Sequence, residues 1–411
     1  MSVGETDLGE LHAITGPEAV AAEFITHPGE IGVDQPPMAI VAAMVLGTVA
    51  FMILGIQPIL LGALVEAGRL TNHALGKVAT LETLALAIGA AVGPPFLRRG
   101  GIRAKIALAA LALAALNIAS YWAASPGPIY VIRTASGALE GLLLAGAILV
   151  VTYTRNPERM NGLFLAITTA PQIAATYLLS TVAIPALGAN SGFGLMAMLS
   201  ALGAFSALAL SDKTTATAHA LGTAKGVWTP WVLLALAAIL LQNAAIGAAW
   251  NYVEQIAHQA DISNQIVGLA VSGGLTFQLV GALGVAWIGW RFNHKLMLAA
   301  GCSLQALDVV VLGSLHAPMI YLGASCVFGL LWLALLPFEM KLLIELDRTR
   351  QVAMILSPAS LIGLSVGPFF GSLLVRETDV SPAFWFAAAA TAISGAIYLF
   401  TALVARRPVP A

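Results

Sequence analysis

The sequence predicts an all-α membrane protein of twelve transmembrane helices arranged as two six-helix halves, and three observations carry that expectation. Of 411 residues, 59% are hydrophobic and 9% charged, with a mean hydropathy of +0.89, whereas a soluble domain averages roughly 25% charged residues. Twelve apolar runs are each long enough for a span, which needs about 20 residues: 37–64, 76–97, 102–124, 128–154, 160–186, 191–211, 228–256, 264–290, 294–315, 317–341, 350–375 and 381–404. With both ends cytoplasmic, fifteen Lys and Arg fall in inner loops and only Arg69, Lys77 and Arg376 in outer ones, leaving Arg133 within the fourth run. That asymmetry orients the chain and checks the count, since losing one helix would scramble the alternation.

Residues 1–36 hold seven acids and no Lys or Arg. They read as a disordered cytoplasmic arm and not as a secretory signal, which starts basic and continues apolar. The six-helix units are then 37–211 and 228–405, joined by a polar cytoplasmic linker at 212–227 and followed by a cytoplasmic tail at 406–411. Arg99 and Arg291 lie 192 residues apart, and Arg159 and Arg350 lie 191 apart, so the halves read as a repeat. Repeated halves enclosing a site are common in secondary transporters.

The fourth run supplies the strongest functional signal. Arg133 and Glu140, seven residues apart, fall on one helix face, and a charge near the bilayer centre costs at least about 3 kcal/mol. Such groups are expected to handle a coupling ion or to form a fixed buried pair. Gly137 and Gly141 form a small-residue strip for close helix approach.

Arg133-x-x-x-Gly137-x-x-x-Gly141 resembles the fourth-helix motif of the major facilitator superfamily, and Gly93-Pro94-Pro95-Phe96-Leu97-Arg98-Arg99-Gly100-Gly101-Ile102-Arg103 resembles its loop motif after the second helix. Leu97 replaces the usual aspartate and Gly101 an arginine. The fifth-helix Gly-Pro signature of drug antiporters is absent around Ala170-Pro171-Gln172. The resemblance covers residues 37–405. It implies a twelve-helix transporter whose first, fourth, seventh and tenth helices line a central cavity.

On that basis Glu140, Arg133 and Asp308 are the expected proton-coupling residues, with sodium as the other candidate ion. Gln57, Thr169, Gln172, Gln242, Asn243, Asn251, Gln278 and Trp332 are the expected substrate contacts, since amides donate and accept and an indole can stack. Arg98, Arg99, Arg103, Glu339 and Lys341 are the expected gating residues, Glu339 and Lys341 as an ion pair. Glu82, six residues into its run from the outer side, is expected to snorkel to the outer interface or else to sit in an external gate. Asp308 has no evident partner.

Gly363-Leu364-Ser365-Val366-Gly367 matches the nucleophile-elbow pattern but lies in an apolar helix, where glycine packing explains it. The seven histidines lack metal-ligand spacing, Cys302 and Cys326 read as buried thiols, and no phosphate-binding loop implies ATP. The expectation is therefore a cofactor-free, metal-free and non-enzymatic carrier in the plasma (bacterial inner) membrane, functional as a monomer, with no nucleic-acid partner. It would move a small polar or anionic solute, by proton symport. The alternatives are antiport-type drug efflux and a non-transporting scaffold or sensor.

Overall fold

The computed structural model describes residues 35–97, 99–152, 154, 157–210, 228–314, 317–347, 352 and 355–404. Most of the arm 1–36, the linker 212–227, the tail 406–411 and Arg98 lie outside them.

Twelve helices are present among these residues. They are α1 (Pro37–Glu66), α2 (Asn72–Leu97), α3 (Ile102–Trp122), α4 (Pro126–Thr152), α5 (Pro157–Leu178), α6 (Ser191–Ala207), α7 (Pro230–Gln259), α8 (Asn264–Ile288), α9 (His294–Ser314), α10 (Pro318–Leu346), α11 (Leu356–Leu374) and α12 (Ser381–Val404). Eleven spans are long and apolar enough to cross a membrane, and α6 is a shorter apolar helix of 17 residues. Residues that lack a free N–H or cap the first turn open several of them: Pro37 begins α1, and Thr229 accepts from Val232 N (3.2 Å) ahead of Pro230 in α7. Gly100 and Gly101 both take positive φ in the α2–α3 turn, a region that disfavours side chains. A π-helical turn, Leu179–Ala183, continues α5 to Leu187.

Helix contacts repeat between the halves. In the first, α2 packs on α4, α3 on α6 and α1 on α5; in the second, α8 packs on α10, α9 on α12 and α7 on α11. Glycines set the repeat. A Cβ on Gly137 would meet Glu82 O, and one on Gly329 would meet Gly274 O; Gly89 faces Ala138 O as Gly281 faces Leu330 O. Each residue of the second set lies 192 positions beyond its counterpart, the spacing visible between Arg99 and Arg291. Gly363 and Gly367 pack on Leu240 O and Ala244 O of α7, which accounts for the elbow-like pattern.

The halves meet through α2 with α11, α5 with α8, and α1 with α7. Their cross-half bonds cluster at the end opposite Pro37 and Val404, here the far end. Asn72 N and Nδ2 donate to Glu377 Oε2 and O (2.9 and 3.0 Å), Tyr252 OH donates to Asn72 O (3.0 Å), and Ser180 Oγ donates to Asn264 O (2.9 Å). His258 bridges Glu66 (2.9 Å) and Glu254 (3.3 Å). Trp250 Nε1 donates to Leu54 O (2.8 Å). From that level to the far end, Gly55–Leu64 of α1 and Gln242–Ala257 of α7 are all buried, whereas Val45, Thr48, Phe51 and Leu54 on α1 and Leu234, Ala237, Leu240 and Leu241 on α7 retain access. The halves are thus tied together at the far end, while the partly accessible side chains in the middle of α1 and α7 lie toward the near end.

Removing both Asn72–Glu377 bonds with Asn72→Ala/Glu377→Ala is expected to shift the population toward far-end opening. At about 1 kcal/mol per bond, the shift is about 30-fold. Labelling of a cysteine placed at Ser180 reports it; an unchanged rate would contradict the closure described.

Candidate functional site: a buried ion triad in the first half

Glu82 on α2, and Arg133 and Glu140 on α4, are all fully buried. Arg133 Nη2 donates to Glu82 Oε1, and Glu140 Oε1 lies 3.5 Å from the same nitrogen. Arg133 Nη1 donates to Asn117 Oδ1 of α3 at 2.7 Å, and Asn117 Nδ2 donates to Ser200 Oγ of α6 at 3.3 Å. Gln57 Nε2 of α1 donates to Glu82 Oε2 at 3.3 Å. The guanidinium carbon sits 5.5 Å from the Phe193 ring centroid, in reach of a cation–π attraction. Five helices thus converge on the triad. The glycine strip of α4 lets α2 come near enough to deliver Glu82, because Gly137 packs directly on the Glu82 carbonyl.

The group is charge-asymmetric. Two carboxyls share one cation, and among the described residues neither oxygen of Glu140 receives a hydrogen bond, nor do Arg133 Nε and Ser136 Oγ have partners. Fully ionised, the triad would carry one net negative charge on side chains with no solvent exposure. Such a charge costs far more than a paired one.

The structure corrects the expectation for Glu82. It is a fully buried partner of Arg133, not an interfacial acid, because α2 starts at Asn72 and not near 76. Glu339 and Lys341 are not paired with each other among the described residues. Glu339 is buried and accepts from Tyr398 OH (3.4 Å), while Lys341 is exposed, as two residues' separation on a helix requires. Asp308 is 7% exposed on α9, which packs on α10 and α12, with Oδ2 unpartnered; it is not brought to the triad. Arg99 is exposed, and Arg103 Nε donates to Leu210 O beyond α6.

The amides are buried in their own helices. Gln172, Asn243 and Asn251 each donate to the carbonyl four residues back (2.9 Å in each case), Thr169 Oγ1 donates to Leu165 O, and Gln242 accepts from Cys302. Gln278 is buried on α8. Trp332, half-buried, lies edge-on to Trp250 (5.5 Å) and Phe328 (6.1 Å), and Trp250 and Phe328 stack within 4° of parallel. Sequence reasoning missed Asn117, although a lone Asn in the apolar run LALAALNIAS was a usable signal. It also missed the Glu66–His258–Glu254 bridge.

No family model and no curated protein matches the sequence. Solved structures do match. A point mutant of the nucleoside transporter NupG superposes with TM-score 0.71 at 13% identity, covering 88% of this chain and 99% of that one. The xylose transporter XylE from E. coli, in a partially occluded inward-open conformation, gives 0.66 at 12%, covering 90% and 100%. The peptide transporter POT in complex with sulfate gives 0.67 at 16%, covering 94% and 98%. The chain is therefore a multi-pass membrane protein by its apolar helices, and it shares the fold of these transporters.

Proposed function

We propose that this protein is a secondary active transporter that moves a small organic solute by alternating access and couples it to protons through Glu82, Arg133 and Glu140. The observation that carries the reading is the triad's surplus carboxyl, fully buried and without a hydrogen-bond donor at Glu140. One proton on Glu140 makes the group neutral; opening of the far end would admit water and let that proton exchange. Both chain ends are taken as cytoplasmic, on the fifteen-to-three bias of Lys and Arg. The near end is then the cytoplasmic entrance, in a plasma-membrane carrier working as a monomer.

Toward the near end, the accessible residues Val45, Thr48, Phe51 and Leu54 of α1 and Leu234, Ala237, Leu240 and Leu241 of α7 are apolar apart from Thr48, and Trp332 adds an indole. That favours a solute with a flat or apolar face over a strongly anionic one, and ring-bearing cargo such as the nucleoside and xylose of the structural neighbours suits it. The same apolar stripe supports a second reading, proton-driven export of amphipathic compounds.

The test uses proteoliposomes with uridine, xylose, a dipeptide and tetraphenylphosphonium. For the solute carried, Glu140→Gln is expected to preserve counterflow exchange and to abolish accumulation driven by a pH gradient. Undiminished accumulation would remove Glu140 from the coupling. The sign of the effective gradient separates uptake from export.

A further inference from the structure

A groove of about 720 Å³ runs along the outer flank of the first half, walled by Pro171, Ala175 and Leu178 of α5 and by Gly194, Leu195 and Met198 of α6, with Met52 and Tyr121 beneath. It reaches from mid-helix to the far end. Leu178, Leu187 and Met198 are 53%, 74% and 64% exposed along it, so in a membrane it opens to lipid. The π-helical turn helps to shape it, since Leu179 and Ala183 line the wall, and π-bulges often mark functional places. At its far end stands Arg69, half-buried, whose Nη1 donates to Asn190 Oδ1 and whose Nη2 donates to the Ser120 and Ala123 carbonyls. Asn190 and Ser120 are the immediate neighbours of the groove residues Ser191 and Tyr121.

We propose that this groove is a phospholipid site, holding one acyl chain between α5 and α6 with an anionic headgroup phosphate at Arg69. The chemistry is complementary at both ends. An apolar slot leaves its lining without dispersion partners unless hydrocarbon fills it, and arginine is well suited to pairing with phosphate. The site bears on the closed far end, because the same π turn carries Ser180, whose hydroxyl bonds α8 across the halves. A chain in the groove would brace that turn against α8. Such a site requires the membrane fold alone and is independent of the transport reading.

Native mass spectrometry of the delipidated protein tests it, with phosphatidylglycerol and phosphatidylcholine of matched chains as probes. A Cβ on Gly194 meets nothing within 4 Å, so Gly194→Leu can direct its side chain into the groove from an unobstructed Cβ. It is expected to lower phosphatidylglycerol occupancy at least tenfold, whereas Gly284→Leu, equally open but on α8, leaves it unchanged. Met198→Phe serves as the second filler under the same criterion if Gly194→Leu fails to fold. Arg69→Gln is expected to erase the preference for phosphatidylglycerol over phosphatidylcholine. Unchanged occupancy in a folded filler variant, or an equal loss in Gly284→Leu, would overturn the site; a preference surviving Arg69→Gln would overturn the headgroup assignment.

Discussion

Arg133→Met is expected to destabilise the protein by about 3–5 kcal/mol, the usual cost of removing one partner from a buried ion pair. The side chain that is lost holds Glu82 and Asn117 directly and Glu140 at 3.5 Å. Its removal leaves two fully buried carboxyls with, among the described residues, only Gln57 donating to either. The penalty falls mainly on whatever stays charged, so the remedy is neutralisation. Arg133→Met combined with Glu82→Gln and Glu140→Gln should recover most of the loss, because neutral amides lack the charge that made the single variant costly. Thermal unfolding in detergent reads both. If the triple variant is no more stable than Arg133→Met, the loss arises from packing around Phe193 and not from charge.

Gly137→Ala should give the other large effect. Its Cβ would collide with the Glu82 carbonyl, a backbone atom that cannot swing aside, and overpacking of this kind costs about 1–3 kcal/mol. Gly329→Ala meets Gly274 O in the same way and should cost a similar amount, while Gly323→Ala, open on α10, should cost nothing. The two variants are expected to part in function. Pushing α2 from α4 withdraws Glu82 from Arg133, but the positions 192 residues beyond Arg133, Glu82 and Glu140 are Ser325, Gly274 and Trp332. Gly329→Ala should therefore spare gradient-driven accumulation that Gly137→Ala impairs. Equal impairment would separate the coupling from the triad.

That asymmetry also shows what the sequence could convey. The helix number and the 192-residue spacing were legible because bilayer thickness and loop charge constrain the whole chain. Arg133 and Glu140 were legible as a pair because helical geometry alone puts them on one face. Glu82 was not. Its apolar run begins at 76 only if the polar residues Asn72 and His73 are counted as loop; in the structure they are helical, bonded to Glu377 and to Ser372 O of the other half. The four extra residues bury Glu82 about 6 Å deeper. The amides carry a different ambiguity: a buried Gln or Asn can satisfy itself on the carbonyl four residues back, as Gln172, Asn243 and Asn251 do, and nothing in composition distinguishes that use from substrate binding. Asp308 sits buried on α9 away from the triad, its Oδ2 unpartnered among the described residues.

The proton proposed for Glu140 is what the coupling reading rests on, and infrared difference spectroscopy of the purified protein reaches it without knowledge of the solute. Wild type minus Glu140→Gln should show a protonated-carboxyl C=O band at neutral pH that disappears as the pH is raised. A difference spectrum showing only ionised carboxylate at neutral pH would mean that Glu140 carries no proton there, and the coupling mechanism would be wrong.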